Sequence, residues 1–113
     1  MKNNISAVTV ISDHAFLRLR QRNGWNRKAS TRMAERIYRE GVRPEAVKGV
    51  LRKWIEKKSA QDTQSEYVIY GQSLYIFRGS TLITVFPVPT RKRLIDINEG
   101  KRKVLAALRE DVI

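Results

Sequence analysis

Cysteine is absent from this chain, histidine occurs once and proline three times. Without cysteine there is no disulfide framework, no thiolate metal site and no cysteine nucleophile, and the expected compartment is the reducing cytoplasm. A single imidazole is too little for a zinc centre, and the scattered aspartates and glutamates never take the spacing of a divalent-cation loop, so neither a metal nor a cofactor is expected. No stretch approaches the roughly 18 apolar residues of a membrane span. The start, MKNNISAVTVISD, lacks a charged segment followed by a long apolar run and a cleavage site, which argues against export and against a membrane partner. A phosphate-binding Walker loop, a dinucleotide fingerprint and a nucleophile elbow are also missing.

Acidic residues are scarce as well. Eleven Asp and Glu stand against 23 Lys and Arg, giving a net charge of +12 on 113 residues. That length fits one domain with one core, spanning residues 1–113. A field of this size draws polyanions, so RNA, a ribonucleoprotein, DNA or an acidic protein is the expected class of partner. The excess is uneven: residues 1–58 carry fifteen bases and five acids, whereas residues 59–113 carry eight and six.

Helical signals come first along the chain and strand signals later. Ser12 or Asp13 can cap a helix that runs to about Arg22, where Asn23 and Gly24 supply a stop. A second helix fits residues 28–40, with Ala29, Met33, Ala34, Ile37 and Tyr38 on its apolar side and Arg32, Arg36, Arg39 and Arg43 on the complementary stripe. A third is expected from Pro44, with Val47, Val50, Leu51, Trp54 and Ile55 at helical spacing, ending near Lys58. The polar stretch 59–65 is the linker out of this helical part, residues 12–58. EYVIY, SLYIFR and TLITVF then alternate with a period of two, and Gly71-Gln72 and Gly79-Ser80 separate them as tight turns.

The expected fold is therefore α+β: about three N-terminal helices on a small antiparallel sheet of three to four strands, placed at residues 66–97, with a C-terminal helix at 98–113. RKRLIDI at 91–97 is a fourth strand or a basic loop with one strand-like turn, and AVTVI at residues 7–11 is an early strand or an apolar entry segment. Leu74 and Ile76 fall on one side of the pleat and Tyr75 and Phe77 on the other, so either helices cover both faces or a second subunit covers one.

The chemistry left open by these exclusions is metal-free cleavage of RNA. A neighbouring 2′-hydroxyl can attack the phosphorus if some group takes its proton, protonates the leaving oxygen and stabilises the crowded oxyanion. His14, Arg18 and Arg22 recur at four-residue steps, which stacks them along one helix face. Arginine suits the task because its planar fork can hold two phosphate oxygens. Arg20, Arg32, Arg36, Arg39 and the run Arg91, Lys92, Arg93 are candidates for contacts along a nucleic-acid backbone.

A His-Ala pair opening a helix, arginines at four-residue steps, and a small antiparallel sheet whose last strand reads LITVFP resemble the barnase, bacteriocin and RelE superfamily of small metal-independent ribonucleases. The likeness covers about residues 12–88 and rests on the short pattern HA-x-x-R-x-x-x-R with a Thr-Val strand near the end. It implies a catalytic role for His14, Arg18 and Arg22, a phosphate contact from Thr84, and weaker contacts from Arg78 and Tyr75. It also implies a toxin of a bacterial or mobile-element conflict system, held in check by an acidic inhibitor protein. The alternative is a non-catalytic regulator or inhibitor, phage-encoded, that grips nucleic acid or a ribonucleoprotein with the same surface.

Overall fold

The computed structural model describes residues 10–95 and residue 97. The fold is α+β, with helices on both faces of a four-stranded mixed sheet. A two-residue strand β1 (Val10–Ile11) leads directly into helix α1 (Asp13–Asn23), followed by α2 (Arg27–Glu40), a 3-10 turn (Pro44–Ala46), α3 (Gly49–Ser59) and the strands β2 (Glu66–Tyr70), β3 (Ser73–Arg78) and β4 (Thr81–Pro87). Residues 91–95 are helical.

Local chemistry sets the ends of the first two helices. The Ser12 hydroxyl accepts from the Ala15 N–H at 3.1 Å, satisfying one of the amides a helix start leaves open, and Gly24 closes α1 in the left-handed conformation at φ 71°. Asn26 then caps α2 through its side-chain oxygen, accepting from the Ala29 N–H at 2.8 Å. At the far end, α2 runs into the sheet at Gly41. A methyl group there would collide with the Val68 side chain and the Ile37 carbonyl. Only glycine allows that approach, and it lets Val42 pair with Ile69 through two 2.8 Å hydrogen bonds.

The third helix is shorter than its apolar spacing predicts. Lys48 is extended and Gly49 has φ 74°, so the chain breaks after the 3-10 turn and restarts as α3. Arg52 bridges the break: its guanidinium donates to the carbonyls of Pro44 at 2.9 Å and Val47 at 3.3 Å. The apolar stripe survives because this clamp holds Val47 beside Val50 and Leu51, on the side where Trp54 and Ile55 are buried.

The meander β2-β3-β4 is antiparallel, as the alternation predicts. The fourth strand is β1, joined in parallel to the outer side of β4. This corrects the purely antiparallel expectation, and the reason is size: two residues carry no readable period. Residues 91–95 are helical, which overturns the alternative of a strand there. Leu94 turns inward to pack with Trp54. Residues 7–9 of the early strand and the expected helix at 98–113 lie outside the described residues.

Two apolar layers sandwich the sheet. On one face α1 and α2 bury Ala15, Leu19, Ala34 and Ile37 against Val68, Tyr75, Phe77, Leu82 and Val85. On the other, α3 and Leu94 cover Tyr67, Ile69, Leu74 and Ile76. Helices thus cover both faces, the first of the two arrangements left open by the pleat pattern.

Candidate nucleic-acid interface

Helix α1 is fastened to the sheet at its start. The Ser12 N–H donates to the Leu82 carbonyl at 3.0 Å and the Ser12 hydroxyl donates to the Ile83 carbonyl at 2.9 Å. Ala15 and Leu19 then point into the core, which turns His14 and Arg18 outward. His14, Arg18 and Arg22 are all exposed, along one stripe of the helix. Among the described residues the His14 imidazole has no hydrogen-bond or ion-pair partner.

Arg22 is close enough to the sheet to act on Tyr75. Burial raises the Tyr75 hydroxyl above its ordinary pKa, and the neighbouring Arg22 guanidinium works in the opposite direction. Tyr75 is only 3% exposed, so it serves as core beneath α1 and α2 and offers no open stacking platform.

Thr84 does not join this group. Strict alternation from buried Leu82 would put Thr84 under α1, but a bulge in β4 shifts the phase. Phe77 pairs with Leu82 and Ile76 pairs with Thr84, leaving Ile83 as an extra residue. Cross-strand partners share a face, so Thr84 lies with Ile76 on the α3 side while Leu82 and Val85 both meet α1. Its hydroxyl is buried there with no hydrogen-bond partner. The sheet therefore stands between Thr84 and the stripe of His14, Arg18 and Arg22.

Arg78 is also committed elsewhere, to Asp62 and Ser65 at 3.3 Å each. That bond holds the linker before β2, with the Tyr67 hydroxyl donating to the same Asp62 carboxylate at 3.1 Å. Arg43, read from spacing as part of the solvated stripe of α2, is instead half-buried. It donates to the Tyr38 carbonyl at 2.8 Å, lies over the Tyr38 ring at 4.7 Å and faces Glu66 at 3.6 Å. Together with Arg52 it walls a cavity of about 510 Å³ between the 3-10 turn, α3 and the start of β2. Glu66 and Glu56 already face these guanidiniums at 3.6 Å each, so this cavity is a fastening of paired charges.

The remaining candidates form two patches on opposite sides of the sheet. Helices α1 and α2 together carry eight basic residues against three acidic ones. Arg27 is paired with Asp13 at 3.6 Å, and Arg36 and Arg39 share Glu40 at 3.3 and 3.9 Å. Arg18, Arg20, Arg22 and Arg32 are exposed with no ion pair among the described residues. Arg91, Lys92 and Arg93 are exposed on the helical stretch at 91–95, with Leu94 packed on the α3 side.

Sequence reasoning missed a groove beside that second patch, lined among others by Trp54, Lys58, Phe86 and Arg93. Its signal was present as the pair of prolines that ends β4, which turns the chain back across α3. Among the described residues no group of three or more His, Asp or Glu could hold a metal ion, and no helix is long and apolar enough to cross a membrane. No protein-family model, no curated protein and no solved structure matches the chain.

Proposed function

We propose that the protein binds RNA, gripping the phosphate backbone with the exposed arginines of α1 and α2. One observation carries this reading: Arg18, Arg20, Arg22 and Arg32 are exposed on two adjacent helices with no ion pair among the described residues, where most of the other arginines are paired. Guanidiniums left uncompensated on a surface raise the potential where a phosphate chain would lie, and each contact made releases counterions. Such contacts fix position without reading sequence.

A second reading, metal-independent endoribonuclease, is favoured by the stripe of His14, Arg18 and Arg22. On that reading His14 exchanges the proton of the attacking 2′-hydroxyl or of the leaving oxygen, and Arg18 and Arg22 hold the phosphate oxygens. The phosphate contact inferred for Thr84 drops out, since the sheet separates it from the stripe. The resemblance to the barnase, bacteriocin and RelE superfamily supports this reading, and a toxin of that kind would be restrained by an acidic protein covering the same arginines.

Both readings meet in one experiment on the full chain with labelled RNA in EDTA. Log affinity should fall linearly with log salt, and Arg18→Glu, Arg22→Glu and Arg32→Glu together should weaken binding on the order of 100-fold with the melting temperature unchanged. Salt-independent binding would refute the RNA reading. If His14 is catalytic, His14→Ala should bind as wild type yet cut on the order of 100-fold more slowly, and a 2′-deoxy substrate should resist cleavage. RNA that is bound and never cut would leave a binding module.

A further inference from the structure

The groove between α3 and the end of β4 has a volume of about 550 Å³ and is lined by Trp54, Lys58, Phe86, Val88, Arg93 and Ile97 among others. Its floor is aromatic and aliphatic. Its only charged lining residues among those described are cations. The Lys58 ammonium sits 4.2 Å from the centre of the Phe86 ring and 5.0 Å from that of Trp54, held by ring faces in place of a carboxylate. Arg91 and Lys92 stand exposed on the adjoining helical stretch.

We propose that this groove takes one unpaired nucleobase of a bound RNA strand, stacked on Phe86, with Lys58 and Arg93 holding the flanking phosphates. The proposal rests on the RNA-binding reading above and adds strand selectivity to it. A concave, apolar site of this size suits a small planar ligand, and a rim whose charged members among the described residues are cations fits a ligand that is itself anionic. An arriving base displaces Lys58 from the ring and offers the same ammonium a phosphate. Base stacking on an aromatic ring outweighs the exposed cation–π contact it replaces. A base held in a duplex cannot enter. The groove also faces the opposite side of the sheet from the α1 and α2 arginines, so a strand touching both must bend around the molecule. A flexible single strand does this and a stiff duplex does not.

The test uses the full chain with Trp25→Phe, which leaves Trp54 as the sole tryptophan, and titrates a short oligouridylate, a duplex RNA of equal length and a polyglutamate peptide. Oligouridylate should quench Trp54 emission, and Phe86→Leu or Lys58→Gln should each lower its affinity about tenfold while leaving duplex affinity and melting temperature unchanged. The proposal fails if RNA binds with Trp54 silent and both variants neutral, or if single-strand and duplex affinities fall together. Quenching by polyglutamate as strong as by oligouridylate would assign the groove to an acidic protein segment and overturn it. Binding of neither RNA would defeat the RNA reading itself.

Discussion

The arginines of α1 and those around the start of β2 are the same residue type put to opposite uses. Arg18, Arg20 and Arg22 project from a helix whose only acid, Asp13, is turned to Arg27. Arg43, Arg52 and Arg78 are instead fasteners: each donates to a backbone carbonyl or a neighbouring side chain and faces a carboxylate within 3.6 Å. A net charge therefore overstates the field available to a partner, since part of it is consumed inside the fold. What matters is how the acids are distributed: among the described residues Glu40, Glu56, Asp62 and Glu66 each face an arginine.

The largest expected effect on the fastened side is in packing. Trp54 is buried between α3 and the sheet, so Trp54→Ala should cost about 3–5 kcal/mol by chemical denaturation, while the α1 arginines remain uncovered. Arg52→Met keeps the apolar stem and deletes both carbonyl bonds. It should lower stability by about 1–3 kcal/mol and leave RNA affinity at low salt nearly unchanged, whereas reversal of the α1 and α2 arginines does the converse. If Arg52→Met impaired RNA binding as much as those reversals, the division between fasteners and free cations would collapse.

The smallest effect concerns Asp62. Its carboxyl is held below the ordinary value, chiefly by a hydrogen bond from Ser65, and further by Tyr67, the Gln64 amide and Arg78, against the opposing pull of burial. A depressed folded pKa adds stability above the unfolded pKa, and that stability is lost as pH falls through the folded value. Asp62→Asn should therefore be slightly less stable than wild type at neutral pH, and the gap should close as acid protonates the depressed Asp62 carboxyl. A gap that persisted in acid would mean that shape, and not charge, holds the linker.

Much of this architecture was legible because its signals are local. Ser12, Gly24 and the glycines between the strands mark ends that one or two residues determine, and the alternation of the meander needs only its own strand. Three features were hidden because they depend on a partner. The bulge that turns Thr84 away from α1 is a property of the pairing between β3 and β4, and no residue in ITVFP announces it. The break before α3 was masked by an apolar spacing that continues across it, maintained by Arg52. Arg43 read as solvated because its carbonyl, ring and carboxylate partners come from Tyr38 and Glu66, and Glu66 lies on a strand more than twenty residues away. The stripe of His14, Arg18 and Arg22 was legible for the same reason as the helix that carries it.

The clasp at Ser12 also orders events during synthesis. Its hydroxyl meets the Ile83 carbonyl across a separation of 71 residues, and the β strand before it pairs with β4, the last strand of the sheet. Translation is vectorial, so α1 and α2 leave the ribosome well before their docking surface has been made. Until β2, β3 and β4 emerge, Ala15, Leu19, Ala34 and Ile37 lack the sheet they pack against, while the arginines beside them are already displayed. A nascent chain of this design displays its exposed arginines before it has its own core, which makes β4 the strand that completes the docking surface of the two helices.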